Sequence, residues 1–150
     1  MQVGEIMKTD VKTAAPDETF ADVAKLLHEH GISSVVVLEG GSLAGIVTER
    51  DVVNCVADGQ DPKRVKLSER MTRSLDTVDS RTDVAEAAEH MARLNHRHLP
   101  IVDRDQLVGI ISIRDLTTWA VEEISGGHEL PDLERSHTAL SAAAQINRQS

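Results

Sequence analysis

Aromatic residues are almost missing from this chain: there is no tyrosine, and Trp119 and Phe20 stand alone as tryptophan and phenylalanine. A core built from it must be aliphatic, and a surface that stacks nucleic-acid bases on aromatic rings has almost no material. Positive charge is also short, with 16 Lys and Arg against 25 Asp and Glu and a formal net charge of −9. Polyphosphate backbones and anionic membranes are bound through a concentrated excess of Lys and Arg. The balance therefore argues against nucleic acid and membrane as partners while leaving room for a local basic pocket. No apolar run reaches the roughly 20 residues of a membrane span, and the opening MQVGEIMKTDVK lacks the apolar segment of a signal peptide. A cytoplasmic location is the expectation. Cys55 is the single cysteine, which excludes an internal disulfide and a cysteine-rich zinc site and suits a small buried filler.

What is present, 40% apolar and 27% charged over 150 residues, fits one globular domain or two small ones sharing a core. The stretch GIVTERD, Gly45 to Asp51, returns 64 positions on as GIISIRD, Gly109 to Asp115, and this offset holds without a gap over most of each half. Glu5, Met7, Thr13, Ala21, Leu43 and Arg50 meet the identical residues Glu69, Met71, Thr77, Ala85, Leu107 and Arg114. Two copies are too few for a solenoid, so the pattern implies two halves related by a pseudo-twofold axis.

Each copy reads as β-α-β-β-α, an α+β arrangement. A short strand, Val11 to Ala14 or Leu75 to Val78, precedes a helix with apolar residues at i, i+3, i+4 and i+7: Phe20, Val23, Ala24 and Leu27, then Val84, Ala87, Ala88 and Met91. Gly31 and Asn95 follow these helices at equivalent places and suit a left-handed C-cap. ISSVVVL and HRHLPIV, each followed by a polar turn and a second apolar run, read as hairpins. A closing helix starts near Thr48 or Ser112 and runs toward Ala57 or Val121. The expected division is 1–58 for the first repeat, 59–64 for a linker, 65–123 for the second repeat and 124–150 for a partly helical tail, set off by Ser125 to Gly127.

In the tail, Pro131, Asp132 and Glu134 read as a helix start, with a thin apolar stripe of Leu133, Leu140 and Ala144. Val52, Val53, Val56 and Leu116 on the closing helices leave more apolar area than a small soluble monomer exposes. Leu26 and Leu27, being adjacent, cannot both point at one core. A homodimer is the expectation.

The repeated TERD and SIRD admit two readings. Thr48 with Asp51, and Ser112 with Asp115, can form a capping box, hydroxyl to the N3 amide and carboxylate back to the N-cap amide. The same atoms can hold a nucleoside phosphate: a helix N-terminus offers free amides and a positive dipole end to phosphate, and the carboxylate can accept ribose hydroxyls. Arg50 and Arg114 can neutralise phosphate or simply be solvated. Gly45 and Gly109 either admit a close backbone neighbour or let an adenine ring approach the sheet. Among the histidines, His96 and His98 share a face of a predicted strand with His90 upstream, but no third ligand has diagnostic spacing, and no metal is assigned. No Ser-His-Asp or Cys-His pattern is legible, so no catalytic residue is named and an enzyme is not expected.

On the G-h-h-[TS]-x-x-D ending, the IM and RM openings, the Thr13 to Pro16 segment and the apolar hairpin, both copies resemble CBS domains. The chain up to about Glu123 resembles a tandem CBS pair, or Bateman module. The resemblance implies two clefts for adenosine-containing ligands and pairs that dimerise into a flat disc. It puts the ligand hydroxyl and ribose acid on Thr48 and Asp51 and on Ser112 and Asp115, and adenine contacts near Val11 to Thr13 and Leu75 to Thr77. Cationic side chains from the strand Arg97-His98-Leu99-Pro100-Ile101 would face ligand phosphates. Ser33 and Ser34 stand at the places of Arg97 and His98 in the first copy, so the clefts should differ in charge, and Ser80 replaces Pro16 in the second. If His98 is a donor, affinity should rise as pH falls through roughly 6.5; otherwise His98 bonds a backbone carbonyl at the pseudo-twofold interface. The implied function is a regulatory module sensing AMP, ADP, ATP, S-adenosylmethionine or NAD, requiring no cofactor and acting on a protein partner of unidentified kind. The alternatives are a ligand-independent dimerisation module and a metal-binding stress-response protein using His96 and His98.

Overall fold

The computed structural model describes the backbone of residues 1–126 and 130–149, and the side chains among these except 130–136, 147 and 149. A short 3-10 turn, Val3–Glu5, is followed by β1 (Thr13–Ala14), α1 (Phe20–His30), β2 (Ser34–Glu39), β3 (Ser42–Thr48) and α2 (Glu49–Ala57). One helical turn, α3 (Leu67–Arg70), leads into α4 (Val84–Leu94), β4 (His98–Asp103), β5 (Gln106–Ser112), α5 (Ile113–Gly126) and α6 (Leu130–Gln149). The mixed α+β repeats read from the pattern are present. No helix among the described residues is long and apolar enough to cross a membrane.

Local chemistry sets the boundaries. Thr19 caps α1 through a capping box with Asp22, whose carboxylate accepts the Thr19 amide at 2.9 Å. Gly31 and Asn95 end α1 and α4 in the left-handed conformation, at φ 60° and 55°. The hairpins have the same register and the same irregularity, between Val37 and Leu38 and between Ile101 and Val102. β1 runs parallel to β2 through Ala14 and Val37, and Val78 bridges Ile101 at the equivalent place.

The chain divides into two compact units that do not follow the order of the repeats: Asp10–Leu75 is one, and Met1–Thr9 together with Asp76–Ser150 is the other. The opening segment of each repeat packs into the unit that holds the other repeat's hairpin. Val3 donates to the Thr82 carbonyl and Gly4 to Ser80, both at 2.9 Å, while Leu67 donates to Glu18 and Ser68 to Pro16 at 2.9 and 3.0 Å. These two sets of bonds map onto each other at the 64-residue offset. The Pro16 to Ser80 difference has a use, because the Ser80 amide, which proline lacks, donates to Asp103 at 2.9 Å. That bond, from the Ser80 side chain and backbone together, holds the Asp103 carboxyl below its usual range.

The Asp10–Leu75 core gathers Phe20, Val23, Val35, Val47, Cys55, Val65, Leu67 and Met71. Leu27 is buried in it, and Leu26 packs half-buried on the same cluster, so both neighbours serve one core. The other unit buries Val3, Val84, Met91, Leu99, Ile111, Leu116, Trp119 and Ile146. Leu116 is thus core, not outer surface, and Val52 is half-buried against the first core. Among the described residues, the large apolar side chains left exposed are Val53 and Val56 on α2, and Val121 and Ile124 on α5.

α5 continues through Ser125 and Gly126 instead of breaking there, and α6 packs on α4 and α5. The buried face of α6 is Ala139, Ala142, Ala143 and Ile146, which follows i, i+3, i+4, i+7. Ala144 is exposed, and Leu140 packs half-buried at the edge of the core. Small residues let α6 approach closely, so the stripe is alanine, a residue that carries little hydrophobic signal in sequence. The side chains of Pro131, Asp132, Leu133 and Glu134 lie outside the described residues.

Candidate functional site

Each TxxD element is built as a joint. The Asp51 Oδ2 accepts the Thr48 amide at 2.8 Å and the Thr48 hydroxyl at 3.1 Å, and the Asp51 amide donates back to Thr48 Oγ1 at 3.4 Å. In the second copy, Asp115 Oδ2 accepts from the Ser112 amide at 2.7 Å and its hydroxyl at 2.5 Å, with the return bond at 3.3 Å. Both are capping boxes. In both, the cap uses one carboxylate oxygen, Oδ2, and leaves Oδ1 outside the cap, so capping and ligand binding need not compete for the same atom.

Gly45 and Gly109 receive a packing explanation. A Cβ added at Gly45 would lie 2.6 Å from Met71 Sδ and 2.9 Å from the Thr72 carbonyl oxygen, and one at Gly109 would lie 2.5 Å from Met7 Sδ and 3.0 Å from the Lys8 oxygen. The repeated methionine and the repeated glycine are therefore one feature. The crossing segments are also pinned by paired backbone bonds, Ile46 with Thr72 at 3.0 Å in both directions, and Ile110 with Lys8 at 3.0 and 2.9 Å.

The residue leading into the first strand of each hairpin meets the closing helix directly. The Ser33 carbonyl accepts the Glu49 amide at 3.0 Å, and the Arg97 carbonyl accepts the Ile113 amide at 2.9 Å. His98 lies opposite Ser112 across the hairpin, as Ser34 lies opposite Thr48. Pro100 is buried, and its carbonyl accepts from Val78 at 3.3 Å. Arg50 and Arg114 are exposed in the first turns of α2 and α5. Of the positions expected on strands near an adenine, only Thr13 is in one, exposed beside β2; Val11 precedes it half-buried, and Leu75 and Thr77 are in no strand because only Val78 bridges the second hairpin.

Lys8 is the site residue that sequence reasoning missed. Its Nζ lies 3.2 Å from Asp115 Oδ1. The offset puts Thr72 at the matching place, and among the described residues no ion pair forms on Asp51. The signal was the Lys8 to Thr72 difference between the two opening segments, but using it required knowing that residues 1–9 pack on the second repeat.

His98 does not switch near pH 6.5. Loss of hydration pushes it down to about 4, with Arg97, Lys8 and Arg114 adding to that effect and Asp115 partly offsetting it. The ring is neutral at physiological pH and brings no charge to a phosphate. The stability consequence has a definite sign. An unfolded His98 binds its proton below about 6.5 while the folded one does not, so stability present above that range falls as pH drops from 6.5 toward 4. We expect roughly 2 kcal/mol of acid destabilisation, less than the full shift because the ring stays partly exposed. Urea unfolding of wild type and His98→Gln at pH 7 and pH 4.5 measures it; an equal loss in both proteins would assign the acid sensitivity elsewhere.

His96 precedes β4 instead of sharing its face with His98. Its Nδ1 lies 3.4 Å from Asp76 Oδ2, and His90 Nε2 lies 3.7 Å from Asp76 Oδ1. Among the described residues, no group of three or more His, Cys, Asp or Glu is arranged to hold a metal ion.

Two hairpins, each feeding a boxed helix N-terminus whose acid keeps an oxygen outside the cap, define a duplicated hairpin-and-helix architecture. The CBS domain family matches residues 3–58 and 66–122, and the chain belongs to that family. The CBS domain-containing protein YhcV of Bacillus subtilis is 32% identical, over 90% of this chain and 96% of its own. A solved protein with CBS domains from Burkholderia ambifaria MC40-6 superposes with TM-score 0.76 at 30% identity, covering 87% of this chain and 98% of that one. The CBS domain pair of protein MJ0100, solved in complex with 5-methylthioadenosine and S-adenosyl-L-methionine, gives TM-score 0.73 at 27% identity, covering 79% and 98%.

Proposed function

We propose that this protein is a regulatory, non-catalytic CBS pair that binds adenosine-containing small molecules at the helix N-termini headed by Thr48 and Ser112. The observation that carries the reading is the carboxylate geometry: Oδ2 of Asp51 and of Asp115 closes the cap, which leaves Oδ1 to accept ribose hydroxyls beside an amide-rich, positive helix end. The adenosyl compounds in the MJ0100 structure support the ligand class. AMP, ADP, ATP, S-adenosylmethionine and NAD all fall within it. A homodimer belongs to the same proposal, supported by the exposed Val53, Val56, Val121 and Ile124, and the ligand would act through that interface or a further protein partner.

The test is calorimetry with adenosine, AMP and ADP on the wild type, Asp51→Ala and Asp115→Ala. Each substitution should weaken binding at its own site tenfold to a hundredfold, since charge-assisted bonds to a carboxylate contribute about 1.5–3 kcal/mol. The fold should persist, because a lost cap costs about 1 kcal/mol. A wild type that binds, with affinities unchanged in both variants, would leave the motif as a cap alone.

A further inference from the structure

The two TxxD sites share a frame and differ in charge. Lys8, Arg97 and Arg114 all act on His98, with Asp115 the anion among them; the offset puts Thr72, Ser33, Arg50 and Asp51 at the corresponding places. Arg70 feels the Asp51 charge without pairing with it, because its guanidinium is tied to Asp58. The decisive difference is Lys8. Its backbone is held to Ile110 as Thr72 is held to Ile46, so the two residues occupy one position in duplicate frames. Only the lysine carries an ammonium, and it sits on the carboxylate oxygen that lies outside the cap.

We propose that Lys8 is a specificity-determining residue, making the Ser112–Asp115 site selective for adenosyl ligands with an anionic phosphate group, while the Thr48–Asp51 site takes uncharged or cationic adenosyl compounds equally well. This rests on the adenosyl reading of both sites. A ribose that engages Asp115 Oδ1 competes with the ammonium already there. An uncharged nucleoside breaks that pair and offers the lysine nothing in return. A phosphate gives it a new partner, reached on a flexible four-carbon stem by a side chain that is more than half exposed, at 58%. A cationic ligand meets like charge. At Asp51 no such exchange is required.

The experiment uses the full chain with one site disabled. In an Asp51→Ala background, calorimetry with adenosine and ADP at low and moderate salt compares Lys8 with Lys8→Thr, the residue its counterpart carries, and with Lys8→Met, which keeps the apolar stem. Both substitutions should reduce the preference for ADP over adenosine at least tenfold, on the order expected for one charge-assisted bond. They should leave adenosine binding equal or tighter and flatten the salt dependence. In an Asp115→Ala background, Thr72→Lys should create a preference for ADP. An unchanged ADP-to-adenosine ratio in both Lys8 variants would overturn the proposal while leaving the adenosyl reading intact. Binding of adenosine and ADP only at the Asp51 site would overturn it too. If neither site of the wild type binds either compound, the adenosyl reading falls and this inference with it.

Discussion

Gly45→Val should destabilise the protein by about 3–5 kcal/mol, read as a drop in the urea-unfolding midpoint. A Cβ at this position already lies 2.6 Å from Met71 Sδ and 2.9 Å from the Thr72 carbonyl oxygen. The methionine can move, but the carbonyl is backbone, and moving it breaks the reciprocal Ile46–Thr72 bonds of 3.0 Å. Overpacking costs about 1–3 kcal/mol, two net backbone bonds about 1 kcal/mol each, and the displaced Met71 is a buried core residue. Because Thr48 caps α2 three residues further on, ligand affinity at that site should fall as well. Gly45→Ala should be milder, and combining it with Met71→Ala should recover only the side-chain part of its cost. A Gly45→Val protein within 1 kcal/mol of wild type would mean the crossing segment is not pinned there.

Ile146→Ala should cost about 3 kcal/mol and loosen the whole of α6. Ile146 has no exposure and lies in the core with Trp119, Leu116 and Met91, where truncating isoleucine typically costs 2–5 kcal/mol. Among the described residues of α6 the other buried side chains are alanines, with Leu140 half-buried at the core's edge, so Ile146 is the largest buried side chain described there, and a single helix of this length is marginal without packing. Hydrogen exchange over residues 137–149 should rise in the variant while the Asp10–Leu75 unit keeps its protection. Ala144→Ser, on the exposed side of the same helix, is the control and should be neutral. Equal protection of α6 in Ile146→Ala and wild type would show that the tail is held elsewhere.

The helices, hairpins and caps were legible because each rests on local chemistry. Phe20, Val23 and Leu27 repeat with the helical period, Gly31 and Asn95 tolerate positive φ, and Thr48 and Asp51 are close enough in sequence to bond each other. The tail face was misread for a local reason too: alanine carries little hydrophobic signal, and only contact with α4 and α5 gives Ala139, Ala142 and Ala143 their meaning. Of the two alternatives for His98, titration near pH 6.5 is the one that fails, because a histidine's titration depends on hydration and hydration is set by what packs around the ring.

By itself, the sequence determined that there are two copies of one α+β unit, where the main helices and hairpins lie, and that a hydroxyl–acid pair heads a helix in each. These follow from short-range periodicity and from bonds between residues three or four apart. Tertiary structure decided which opening segment joins which hairpin. Met7 and Met71 fit equally well over Gly109 and Gly45 by local pattern, so the choice is degenerate until the chain closes. That closure carries Lys8 to Asp115, 107 residues away in sequence. An ion pair at that separation leaves no periodic trace, so the exchange of Arg97 and His98 for Ser33 and Ser34 was legible in the sequence while the part Lys8 plays appeared only in the folded chain.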